Sequence, residues 1–141
     1  MPAIRMLLVG DNADFVEGLR DWLVKEPDIE IVGIEHSAEA AIERVAEGTP
    51  EIVLMDVTMP GTNGFEACRQ IRTEVHSPSI ILMSFHESET VRREAWAAGA
   101  DRVVGKGHIA DTLLPMVREL ARESAEKTDR RRKPLEKGDT P

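Results

Sequence analysis

The chain contains no tyrosine, a single cysteine and few aromatic residues of any kind: three Phe and two Trp among 141 positions. One thiol, Cys68, excludes an intrachain disulfide and agrees with a cytosolic setting. It falls on the inward side of a helical pattern, where a small core residue is expected. No apolar run approaches the ~20 residues that a membrane span requires. The opening Met1-Pro2-Ala3-Ile4-Arg5 lacks the regions of a signal peptide, so a cytoplasmic location without membrane contact is expected. The four histidines, His36, His76, His86 and His108, show no metal-ligand spacing. They read as surface or loop residues, with His86 the one placed to matter.

Positive charge is also scarce. The net charge is −8 from 18 basic and 26 acidic residues. Seven Lys/Arg and five Asp/Glu lie from Arg122 onward, which leaves 11 basic against 21 acidic residues before it. An acidic body of net −10 argues against direct DNA binding, which needs a basic face to neutralise phosphates. Arg130-Arg131-Arg132-Lys133 is the one basic cluster, and it reads as part of a solvated tail.

What is present is a regular alternation. Apolar runs of strand length, rich in Ile and Val, occur at 4–9, 29–34, 52–55, 79–83 and 102–104. Helical patterns separate them. In the first, Phe15, Val16, Leu19, Trp22 and Leu23 share one face, and Pro27 stops it. The second starts after Ser37, a candidate N-cap, with Ala38, Ala41, Ile42 and Val45 inward. The third spans about 64–72, with Phe65, Cys68 and Ile71 inward. The fourth spans about 88–98 and ends at Gly99, with Trp96 off its inward stripe. The fifth spans about 109–124, with Leu113, Met116, Val117 and Leu120 inward. Strand and helix alternate five times, which predicts an α/β fold with a parallel sheet covered by helices on both faces. Residues 1–124 form the expected domain. Residues 125–141, charged and holding Pro134, Gly138 and Pro141, read as an extension of the last helix fraying into a disordered tail.

In such a sheet, chemistry sits outside the carboxyl ends of the strands. Asp56 ends the buried run Ile52-Val53-Leu54-Met55. The first run ends at Gly10-Asp11, the fourth at Ser84 and the fifth at Gly105-Lys106. In a doubly wound order the first and third strands are neighbours, which brings Asp11 toward Asp56. Two hard carboxylates with room for water suit Mg²⁺. Asp56 can act as a carboxylate nucleophile that forms an aspartyl phosphate. Lys106 and the ion would balance the phosphoryl charge, and Ser84 would donate a hydrogen bond to it.

Four segments in this order carry a family resemblance: Leu7-Leu8-Val9-Gly10-Asp11, Leu54 to Gly61 followed by Asn63-Gly64, Met83-Ser84-Phe85-His86, and Gly99-Ala100-Asp101 leading to Lys106. Over about residues 3–124 the chain resembles the receiver domains of two-component response regulators. The Met59-Pro60-Gly61 and Met83-to-His86 wording is similar to receivers that usually carry a helix-turn-helix output domain; here a stand-alone receiver is expected. The resemblance implies a flavodoxin-like, doubly wound five-stranded sheet of order 2-1-3-4-5. It implies phosphotransfer from a histidine kinase or phosphotransfer protein to Asp56. Asp11 and the Thr58 backbone carbonyl would join Asp56 as Mg²⁺ ligands, and Ser84 and Lys106 would contact the phosphoryl group. Thr58 and His86 fall where side chains tune phosphoryl lifetime. Signalling would pass to a downstream protein, or to a homodimer, through the face of the fourth and fifth helices.

The chain departs from the family pattern at several positions. Two adjacent acids usually follow the first strand; here the first is Gly10, which should weaken Mg²⁺ binding. The aromatic residue usual in the fifth strand is replaced at Val103. Gly107 follows Lys106 where Pro or an acid is usual. Phe85 is bulkier than the small residue common there and is expected to restrict access to Asp56. Gly10 and Val103 favour an alternative, a receiver-like scaffold that binds a partner through its fourth-helix face without phosphate. A phosphohydrolase with an Asp nucleophile typically needs a second acid two residues on, where this chain has Thr58.

Overall fold

The computed structural model describes residues 2–48 and 50–132, with side chains described to residue 126. Five strands, β1 (Ile4–Val9), β2 (Ile29–Glu35), β3 (Ile52–Asp56), β4 (Ser79–Ser84) and β5 (Arg102–Gly105), alternate with five helices. The helices are α1 (Ala13–Leu23), α2 (Ala38–Ala46), α3 (Gly64–Ile71), α4 (Glu89–Ala98) and α5 (Ile109–Arg132), and a 3-10 turn, Lys106–His108, leads into α5. The sheet is parallel throughout, in the order β2-β1-β3-β4-β5. This is the flavodoxin-like arrangement expected from the sequence.

Side chains alternate across a strand, so each strand feeds two cores. Leu7, Val9, Val53, Met55, Ile80 and Leu82 pack toward α2, α3 and α4, against Val45, Cys68, Ile71 and Ala95. Met6, Leu8, Leu54, Ile81, Met83 and Val104 pack toward α1 and α5, against Val16, Leu19, Leu23, Leu113 and Val117. Every residue of β3 is buried, which explains why its run lacks alternation.

Each short helix has its own start signal. The side chains of Asn12, Ser37, Asn63 and Ser88 accept hydrogen bonds from the backbone N–H groups of Phe15, Ala40, Glu66 and Val91, satisfying donors the helix leaves open. Asn12 therefore caps α1, and Asp11 is left free of that task. Gly99 closes α4 at φ 94°, a conformation that disfavours any residue with a Cβ.

The last helix is longer than the sequence pattern suggests. The apolar stripe fades after Leu120, but α5 continues to Arg132, into the stretch expected to extend it. Residues 121–132 are mostly Ala, Arg, Glu and Lys, which favour helix without a buried face. The rest of the expected tail, 133–141, lies outside the described residues.

Candidate functional site

The carboxyl ends of β1, β3, β4 and β5 bring Asp11, Asp56, Ser84 and Lys106 to one edge of the sheet. Asp56 closes β3 and is 4% exposed. Its Oδ2 accepts a hydrogen bond from Lys106 Nζ at 2.6 Å. Its Oδ1 accepts the Thr58 backbone N–H at 3.1 Å, a short Asx-type turn. The loop can fold back this tightly because Gly64, at the start of α3, has no Cβ. One placed there would press on the Asp56 carbonyl and stand 2.8 Å from Val57 Cα.

The remaining expected residues are placed less uniformly. Asp11 lies exposed just past β1. Ser84 is buried, but its hydroxyl donates to the His86 carbonyl at 3.0 Å and accepts the His86 N–H at 3.2 Å. The hydroxyl expected to donate to a phosphoryl group is thus engaged with the loop backbone. A serine at a tight turn satisfies nearby backbone groups first, and that turn directs its Oγ along the loop. The Thr58 side chain is exposed, and its backbone N–H, which sequence reasoning did not single out, is what engages Asp56.

Gly10 marks where the first of the two adjacent acids of the family pattern would stand. β1 and β3 pair in register, with Val9 opposite Met55. A Cβ at Gly10 would lie 3.9 Å from Asp56 Cβ but only 2.8 Å from Val16 Cγ2. Val16 thus fills the room that a longer residue at position 10 would need. Among the described residues no group of three or more His, Cys, Asp or Glu side chains forms a metal cluster. Mg²⁺ does not require one, since it is commonly held by one or two carboxylates with several waters. Exposed Asp11, just past β1, and buried Asp56, at the end of the neighbouring β3, are carboxylates of the kind such a donor set uses.

Two further groups at the site have no joint signal in the sequence. Lys106 Nζ lies 4.7 Å from the centroid of the Phe15 ring and 4.1 Å from that of Phe85. Phe15 is legible only as part of an apolar helix face, and Phe85 only as a bulky neighbour. Cys68 stands apart from the site; burial pushes its thiol up to about 11, so it stays neutral in the core.

Residues 6–118 match the family described as the response regulator receiver domain. The chain belongs to this family. The receiver is 30% identical over 122 residues to the transcriptional regulatory protein DegU of Brevibacillus brevis, a match covering 86% of this chain and 52% of the relative. It is 32% identical over 133 residues to a protein-glutamate methylesterase/protein-glutamine glutaminase of Nocardioides sp., covering 85% of this chain and 36% of that protein. The receiver therefore spans about half or less of the length of these relatives. Among solved structures, the response regulator domain of Thermotoga maritima CheB superposes with a TM-score of 0.77 at 29% identity, covering 84% of this chain and 96% of that one. A receiver is a signalling domain of a two-component system rather than a classical enzyme. Among the described residues, no helix is long and apolar enough to cross a membrane.

Proposed function

We propose that this receiver takes a phosphoryl group on Asp56 from a histidine kinase or phosphotransfer protein and passes the signal on through protein contacts. The observation that carries this reading is the buried Asp56–Lys106 pair at the carboxyl edge of the sheet. A carboxylate held this far from water is expensive unless paired, and this one is paired with the residue type that can follow a transferred charge. An oxygen of Asp56 attacks phosphorus, the P–N bond of the donor phosphohistidine breaks as the O–P bond forms, and the released imidazole takes up a proton. Lys106 shifts from the carboxylate to a phosphoryl oxygen, and Ser84 turns from His86 to donate to another. The Thr58 N–H keeps Asp56 oriented throughout. Asp11, Asp56 and the Thr58 carbonyl would hold Mg²⁺, which supplies neutralisation of the phosphoryl charge.

An open groove of about 490 Å³ lies beside Lys106, lined by Phe15, Gly18, Leu19, Trp22 and Ile109, a surface against which a protein donor can seat. Output is assigned to the face of α4 and α5, to a downstream protein or a second copy, where Trp96 stands 76% exposed. The acidic body makes DNA an unsuitable direct partner. The domain is assigned to the cytoplasm.

The test is intact-mass analysis after incubation with Mg²⁺ and a small acyl phosphate, with Asp56→Ala alongside. One phosphoryl group on the wild type and none on the variant is expected. A second reading, a phosphate-independent scaffold, draws on Val103, Gly10 and the Ser84 hydroxyl turned toward His86. Absence of Mg²⁺ binding together with absence of an adduct would favour it.

A further inference from the structure

Two of the three phenylalanines in a chain otherwise poor in aromatic residues converge on one ammonium group. They arrive from different elements: Phe15 from the first turn of α1, Phe85 from the residue just past β4. Lys106 itself comes from the residue just past β5. Its side chain is only 9% exposed, although it sits at the sheet edge. Phe15 is half-buried, whereas Phe85 is 75% exposed. A large ring held open to water loses apolar burial. Its contact with a cation recovers part of that loss, because the ring face is electron-rich.

We propose that Phe15 and Phe85 form an aromatic clamp that positions Lys106 on Asp56 and closes the pair to solvent and to small phosphoryl donors. Phe15 is the fixed jaw, set in a helix and half-buried. Phe85 is the movable jaw, exposed and placed between β4 and the cap of α4 at Ser88. With Phe85 down, the ammonium meets a ring on two sides and the carboxylate on a third. With Phe85 lifted, water and a phosphoryl donor reach Asp56 Oδ2. A protein donor that lifts the ring as it docks therefore has an advantage that a free acyl phosphate lacks. The same ring slows hydrolysis of the phosphorylated form by excluding water. Both residues are positioning residues, since each acts through Lys106. The proposal rests on Asp56 being the phosphoacceptor, and its test is arranged so that the two can fail separately.

The first measurement is amine labelling of the full chain, with modification of Lys106 followed by peptide mass spectrometry and compared with exposed Lys25. Wild-type Lys106 should react at least about tenfold more slowly than Lys25. Phe85→Ala should speed Lys106 by about fivefold to thirtyfold, the scale of a partly desolvated cation–ring contact, and leave Lys25 unchanged. Phe85→Trp should keep the protection, and Phe85→Leu, apolar but without a ring face, should lose most of it. Because Phe85 is exposed, these variants should fold; Phe15→Leu tests the other jaw with little loss of volume. Unchanged Lys106 reactivity in Phe85→Ala would overturn the clamp. The second measurement is labelling of Asp56 by a small acyl phosphate, which Phe85→Ala should accelerate several-fold along with hydrolysis. Faster amine labelling with no adduct on any variant would uphold the clamp and defeat the phosphoacceptor reading. An adduct formed at the same rate in wild type and Phe85→Ala would defeat closure toward donors.

Discussion

Two carboxylate–cation pairs sit at opposite ends of the same sheet, and they are built differently. At the carboxyl end, Asp56 and Lys106 have side chains 6% and 9% exposed. At the amino end, Arg72 pairs with Asp101, and these are more open, at 26% and 33%. The more exposed pair is the better satisfied. The Arg72 guanidinium also donates to the Gly99 carbonyl at 2.5 Å, the Ser77 hydroxyl at 2.8 Å and the Pro78 carbonyl at 2.7 Å. Asp101 also accepts the Ile80 N–H at 2.7 Å. That set ties the end of α3, the approach to β4 and the end of α4 to the start of β5. Lys106, with three donors, spends one on Asp56 and turns toward two rings.

Each pair is built for its task. A rigid guanidinium fork with its donors used is a fold clamp. An ammonium is a compact point charge on a flexible stem, and it can exchange one oxygen for another without rebuilding its surroundings. Burial alone does not separate the two cases. The count of satisfied partners and the type of cation do.

Breaking the carboxyl-end pair should have the largest kinetic effect. Lys106→Ala is expected to slow phosphoryl uptake at Asp56 by about 10²–10³-fold, as for loss of one charge-stabilising donor, measured by intact mass against time. A rate within about threefold of wild type would remove Lys106 from the chemistry. Breaking the amino-end pair should instead cost stability. Arg72→Ala leaves Asp101 without its cation and takes a donor from the Gly99 carbonyl, the Ser77 hydroxyl and the Pro78 carbonyl, so urea denaturation should show a loss of roughly 2–4 kcal/mol. Asp56→Asn should cost less, under about 1.5 kcal/mol, because the amide can still accept from Thr58 and the flexible Lys106 stem can carry its ammonium out to water at the sheet edge. Equal losses in the two variants would erase the distinction between the two ends.

Adding charge at the carboxyl end sharpens the contrast further. Gly10→Asp alone should destabilise by roughly 1–3 kcal/mol, because its Cβ meets Val16 in a packed core. With Val16→Ala the acid should fit and raise Mg²⁺ affinity by about tenfold, read by calorimetric titration. No gain in the double variant would place the limit on ion binding elsewhere than Gly10.

The smallest effect belongs to a third pair, Arg118 with Asp28, which is partly exposed and bidentate at 2.9 and 3.1 Å. The hydrogen bond from Arg118 holds the Asp28 carboxyl below its ordinary value. A lowered folded-state value means that the folded chain binds this proton less readily than the unfolded one. The contribution is therefore present above the unfolded carboxyl range, near pH ~4, and is lost as pH falls through the folded value. Arg118→Ala should cost only a few tenths, about 0.3–0.5 kcal/mol, at neutral pH because the pair is solvent-screened. That difference should vanish in acid; a constant difference across pH would assign it to packing instead.

Much of the fold and part of the site are legible in the amino-acid sequence. Five βα alternations dictate the sheet, and polar residues at the ends of apolar runs mark Asp56 and Lys106. What escapes is geometry without a sequence signal. Ser84 is legible as the hydroxyl that ends its strand, but which backbone group it satisfies depends on a turn three residues long. Arg72 looks like any charge near a helix end, because its partner Asp101 is 29 positions away. The Phe15–Lys106–Phe85 stack joins three elements that only the fold brings together. The length of α5 is hidden because helix can persist on propensity after its apolar stripe has ended.

Asp56 is assigned here as the residue that carries the phosphoryl group. Acyl phosphates are reduced by borohydride to the alcohol, so treating the receiver after phosphoryl transfer and mapping its peptides locates the modified carboxylate directly. Homoserine is expected at position 56 and at no other carboxylate. Reduction at Asp11 or another acid, with Asp56 intact, would contradict it.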